Sequence, residues 1–110
     1  MKSILKKITV KLLLPEEPLT RVCEIRTKEM PNNVDELSEY LGGSLRTVKL
    51  MKGLALLIAE NDQPNKKPNR VATELIRAFR PEEEGIVEGY AAAVGIDEDG
   101  NFIDLPVWMR

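Results

Sequence analysis

Ser44-Leu45-Arg46-Thr47-Val48-Lys49-Leu50-Met51-Lys52-Gly53-Leu54-Ala55-Leu56-Leu57-Ile58-Ala59 is the stretch that decides the fold. In its first half Leu45, Thr47 and Lys49 alternate with Arg46, Val48 and Leu50, the period of two that belongs to a strand. Lys52-Gly53 marks a tight turn. The second half is apolar on both faces, as in an inner strand covered from both sides. Gly53 and the β-branched residues weigh against one long helix. The expectation is an antiparallel hairpin at the centre of a sheet.

Upstream, Asn33 is placed to cap a helix, and Glu36 follows three residues on, as in a capping box. Asp35 and Glu36 sit where the helix dipole favours negative charge. Val34, Leu37 and Leu41, with Tyr40, make one apolar stripe. Gly42 supplies a left-handed stop. A short helix is expected over Val34–Leu41. Further back, Ile8, Val10, Leu12 and Leu14 alternate in a strand, Pro15 to Pro18 form a turn, and a second strand is expected over Thr20–Arg26. The two should pair as an antiparallel hairpin. The long apolar strand Ile8–Leu14 reads as a sheet edge, which invites a homodimer. Cys23 reads as a small buried hydrophobe.

Downstream lies a polar bridge, Glu60-Asn61-Asp62-Gln63-Pro64-Asn65-Lys66-Lys67-Pro68-Asn69-Arg70. Asn69 can cap a second helix with Val71, Leu75, Ala78 and Phe79 in one stripe, ending at Arg80-Pro81. Glu82 to Gly85 read as an acidic linker. Ile86–Ile96 reads as a strand, and its run Ala91-Ala92-Ala93 leaves room for a helix close by. Asp97 to Asn101 read as a hairpin turn into a last strand, Phe102–Leu105. A calcium loop needs its glycine sixth and a glutamate twelfth; Gly100 comes fourth from Asp97, so no metal is expected. Trp108 is either packed on the sheet or an exposed anchor for a partner.

The whole is expected to be one α+β domain: a mostly antiparallel sheet of about six strands and two helices on one face, in the order β-β-α-β-β-α-β-β. With 110 residues the chain has the size of a single domain. Sixteen basic against eighteen acidic side chains give a net charge of −2, too balanced to steer the protein to nucleic acid or an anionic membrane. Lys66, Lys67 and Arg70 form one small basic patch. Lys2, Lys6, Lys7 and Lys11 form another. Neither is interleaved with aromatics, so at most weak nucleic-acid binding would follow. The sequence contains no histidine and one cysteine, which removes the commonest general base and any Cys/His zinc set. A reducing cytoplasmic setting, no membrane span and no cofactor are expected.

Segments Leu41 to Val48, Leu56 to Asn61, Pro68 to Arg70, Glu88 to Gly95 and Gly100 to Phe102 together resemble a family of small proteins from bacteriophages, conjugative elements and Gram-positive bacteria, domain of unknown function 3846. The resemblance covers most of the chain, about Ile8 to Leu105. It departs between Val71 and Gly85, where this chain carries a longer helix and an acidic linker. It implies a mobile-element setting and no activity, substrate or cofactor.

The candidate site is Glu60, Asn61, Asn69 and Arg70. Arginine offers a planar fork for carboxylate or phosphate, and asparagine both donates and accepts. A non-catalytic binding or accessory protein, docking a host protein or a small anionic ligand, is the favoured expectation. An enzyme on a nucleotide-like substrate would have to use Glu60 as base and Arg70 as electrostatic stabiliser. Against both stands a structural role, in which the asparagines fix turn and cap and Arg70 pairs with Glu60 or Glu74.

Overall fold

The computed structural model describes residues 7–15, 24–60, 67–83 and 85–110. Strand β1 is Lys7–Leu13 and β2 is Ile25–Pro31; helix α1 is Val34–Leu41; β3 is Ser44–Met51 and β4 is Leu54–Glu60; helix α2 is Arg70–Phe79; β5 is Ala91–Ile96 and β6 is Phe102–Ile103. The spatial order is β2-β1-β5-β4-β3, with β6 pairing to β5. Every pairing is antiparallel. The chain is thus α+β, in the element order expected.

The α1 boundaries are those expected, for the expected reasons. The Asn33 side chain accepts from the Glu36 N–H at 3.1 Å. Gly42 takes φ 98°, the left-handed conformation that costs glycine least. The stripe is narrower than its spacing implied: Leu37 and Leu41 are buried, while Val34 and Tyr40 stay exposed. In α2, likewise, Ala72, Thr73 and Ile76 carry the burial and Ala78 is exposed.

Strand parity sorts the core into two layers. Leu54, Leu56 and Ile58 of β4 and Ala91 and Ala93 of β5 pack with Ala72 and Ile76 of α2. Ala55, Leu57 and Ala59 of β4 and Ala92 and Val94 of β5 belong with Leu37 and Leu41 of α1. The helices therefore lie on opposite faces, not on one. The all-apolar strand β4 already demanded this, because each of its faces needs a cover. The alanines of β5 keep the central strand thin on both sides.

Three further expectations are corrected. The β3–β4 hairpin is not the centre of the sheet: β5 returns between β1 and β4, and β3 is an edge. For the same reason β1, read as an edge, is internal, paired to β2 on one side and to β5 on the other. Its apolar length reflects that burial, and the homodimer inferred from an edge at Ile8–Leu14 loses its strand. Third, β2 starts at Ile25 and runs to Pro31, later than the expected Thr20–Arg26. Only Met30 in it is buried. A strand exposed on both faces shows no hydrophobic alternation, so its sequence did not announce it. Residues 20–23, with Cys23, lie outside the described residues.

Strand β5 also starts later than expected. Residues 86–90 instead run against the end of the polar bridge: Asn69 N–H donates to the Val87 carbonyl and Gly89 N–H to the Lys67 carbonyl, each at 2.8 Å. The last strand is shorter than expected, Phe102–Ile103, because Asp104 turns away to accept the Thr9 N–H on its side chain at 2.8 Å.

The turn before β6 is built on Asp97. Its Oδ1 accepts from the N–H groups of Asp99 at 2.9 Å and Asn101 at 2.8 Å. The bond from the Asn101 N–H is the first cause holding the Asp97 carboxyl below its ordinary range. A depressed folded-state pKa stabilises the protein above the unfolded-state value, and that contribution is lost as pH falls through the folded one. Asp97→Asn is accordingly expected to lower stability at pH 7 and to narrow its difference from the parent as pH falls below about 4. Urea unfolding across pH checks this; a difference that stays constant with pH contradicts it.

Candidate functional site

The antiparallel registers bring the two ends of the polar bridge to one end of the sheet. Glu60 closes β4 opposite Ser44 and is exposed. It shares strand parity with Leu56 and Ile58, so it lies on the α2 face. Arg70 opens α2 and is exposed too. Among the described residues it forms no ion pair, with Glu60 or with Glu74. Asn61 lies outside the described residues, as does Lys66.

Asn69 has a different position from its neighbours. It is 0 % exposed. Its Oδ1 accepts the Ala72 N–H at 3.1 Å and caps α2. Its Nδ2 donates to the Leu13 carbonyl and to the Gly89 carbonyl, both at 2.8 Å. Thr73, one helical turn on, donates from Oγ1 to the Asn69 carbonyl at 2.8 Å and accepts the Val87 N–H at 2.9 Å. One asparagine and one threonine thus join the end of β1, the start of α2 and the approach to β5. No buried side-chain nitrogen or oxygen among the described residues lacks a partner. Asn69 has both side-chain functions committed and none turned outward. Of the three described candidate residues, Glu60 and Arg70 are exposed and Asn69 is buried as a structural tie.

Sequence reasoning passed over Thr73. The signal was present as Asn69-x-x-x-Thr73, four residues apart and therefore on one helix face.

The second surface feature is the stretch 105–110. Leu105 is fully buried and its N–H donates to the Thr9 carbonyl at 2.9 Å. A 3₁₀ turn, Val107–Met109, follows. Met109 N–H returns to the Pro106 carbonyl at 2.9 Å, and Met109 packs on the α2-side core. The Arg110 Nε donates to the Leu105 carbonyl at 2.9 Å. These contacts hold the turn while leaving Val107 77 % and Trp108 61 % exposed. Of the two expected placements for Trp108, packed on the sheet or exposed, the structure shows the second.

Among the described residues no group of three or more His, Cys, Asp or Glu side chains is placed to hold a metal. Also among them, no helix is long and apolar enough to cross a membrane. Comparison with family models, curated proteins and solved structures finds no match.

Proposed function

We propose that the protein is a non-catalytic binding protein that docks another protein through Val107 and Trp108. The observation that carries this reading is the pinned 3₁₀ turn, which presents an aromatic and an aliphatic side chain to water from a backbone fixed at Leu105, Met109 and Arg110. Exposing a tryptophan forfeits the burial that its large apolar surface would otherwise gain. Tryptophan is also the residue most enriched among binding hot spots, where a rigid anchor enters a desolvated pocket of the partner. The turn loses little conformational freedom on docking, because it is already ordered.

A small anionic ligand at Arg70, beside the exposed Lys67, is the second reading. It draws on the exposed guanidinium at the start of α2 and on the absence of an ion pair there among the described residues. The mobile-element setting rests on the motif resemblance, and a bacterial host protein is the partner it points to.

The test is affinity capture from a bacterial lysate with the parent, Trp108→Ala and Arg70→Ala proteins in parallel. A partner held by the parent and by Arg70→Ala is expected to be lost from Trp108→Ala, weakened by 2 kcal/mol or more, roughly thirtyfold. The melting temperature should change little, because most of the side chain is in water. Retention by Trp108→Ala together with loss from Arg70→Ala contradicts the assignment and favours the second reading.

A further inference from the structure

Hydrogen-bond parity fixes which groups of β2 face away from the sheet. The Leu14 N–H donates to the Glu24 carbonyl at 2.9 Å. That pair extends the β1–β2 register, in which Leu12 faces Arg26 and Val10 faces Lys28. Antiparallel ladders alternate hydrogen-bonded and non-hydrogen-bonded pairs. Arg26, Lys28 and Met30 therefore exchange backbone bonds with β1. The N–H and C=O groups of Ile25, Thr27 and Glu29 point outward. The far side of β1 agrees, since the Thr9 carbonyl, of opposite parity, accepts from Leu105 and not from β2.

The opposite edge, β3, is obstructed. The Arg80 guanidinium donates to the Lys49 carbonyl at 2.9 Å, and the ladder is irregular between Lys49 and Met51. Bulges and covering side chains both blunt an edge. At β2, among the described residues, only Pro31, which has no N–H, closes one end.

Charge then selects the occupant. An added strand would bond to Ile25, Thr27 and Glu29. Its side chains would meet Arg26 and Lys28 at the non-hydrogen-bonded positions, where facing side chains come closest. A second copy is the poorer partner, because the register that sets opposite charges together without a like pair, centred on residue 25 with Glu24 against Arg26, overlaps β2 only at its start. Two-fold antiparallel pairing centred on residue 26 sets Arg26 against Arg26. Centred on 27 it sets Arg26 against Lys28, on 28 Lys28 against itself, and on 29 Glu29 against itself. Lys28 is already placed, with its Nζ 4.8 Å from the centre of the Tyr40 ring. Arg26 is paired with Glu24, but both are solvent-exposed, and such a pair exchanges readily for another carboxylate.

We propose that the outer edge of β2 receives an extended acidic segment of another protein, added as a strand, with carboxylates at two alternate positions facing Arg26 and Lys28. This surface is separate from the Val107–Trp108 turn and stands or falls independently of it.

The experiment is amide NMR of the whole chain with two synthetic strand-forming peptides, identical except for Glu or Lys at the two alternate positions. The Glu peptide is expected to move the amide signals of Ile25, Thr27 and Glu29 and slow their hydrogen exchange. The Lys peptide should bind roughly tenfold more weakly or worse. Arg26→Glu with Lys28→Glu should reverse that order. Thr27→Pro removes an outward N–H without touching a β1 bond, and should abolish binding of both peptides. Equal affinities, an order unmoved by the charge reversal, signal changes away from β2, or self-association with changes at Ile25–Glu29 would each overturn the proposal. If Thr27→Pro fails to fold, the charge-reversed protein decides the matter alone.

Discussion

Gly95→Ala is expected to lower stability by about 3 kcal/mol, at the upper end of the usual cost of overpacking. A Cβ built on Gly95 would stand 2.1 Å from the Asp104 carbonyl oxygen and 2.9 Å from both the Asp104 carbonyl carbon and Ile103 Cγ1. Two of those three atoms are backbone, so no side-chain rotation relieves the clash. Gly95 pairs with Ile103 on one side and with Leu54 on the other. Movement away from β6 would therefore break the centre of the sheet. The easier relief is for β6 to lift, which costs the Leu105 bond to Thr9 and the Asp104 bond to the Thr9 N–H. At about this size of chain the loss corresponds to a melting temperature lower by roughly 10–20 °C. Thermal unfolding checks it, and a shift of only a degree or two would mean that β6 does not lie against Gly95. The same substitution should loosen the turn that carries Trp108, because that turn hangs from Leu105.

Asn69→Ala should cost a comparable amount, roughly 2–4 kcal/mol. Losing the cap alone costs about 1 kcal/mol. The larger part comes from leaving the Leu13 and Gly89 carbonyls short of a donor in a buried place. Asn69→Asp separates these contributions. Aspartate caps helices about as well as asparagine, so a site that were only a cap would tolerate it. Here it would replace the Nδ2 donor by an oxygen facing two carbonyl oxygens. Asn69→Asp is expected to be at least as destabilising as Asn69→Ala at neutral pH. If it melts within a few degrees of the parent, the interior bonds of Asn69 are not what hold β1 to α2.

The sequence exposes some of these arrangements and conceals others, for physical reasons. Helix α1 and the β3–β4 hairpin are set by local chemistry: Asn33, Glu36 and Gly42 for the one, and Lys52-Gly53 between two strand patterns for the other. Such signals are complete within a few residues. The spatial order of the strands is not local. Nothing in Ile8–Leu14 itself records that β5, nearly the whole chain later, will lie beside it, and so an internal strand reads as an edge. Strand β2 hides for the opposite reason, since an edge exposed on both faces has no apolar period. The candidate site shows the same division. The capping role of Asn69 is legible from its place before Val71. Its two interior donors are not, because Leu13 and Gly89 are distant in sequence. Glu60 and Arg70 stand out in the sequence as polar residues beside an apolar frame, and the structure places both in solvent at one end of the sheet. Trp108 carried no local signal that chose between burial and exposure; the chain around it had to be folded first.

Trp108 is the only tryptophan in the chain, so its fluorescence reports directly on the proposed docking turn. In the free protein the emission should lie at the long wavelengths of a hydrated indole and be quenched efficiently by acrylamide. On adding the captured partner it should shift to shorter wavelength and become protected from the quencher, saturating with the binding curve. A partner that binds while Trp108 remains hydrated and quenchable would contradict the account.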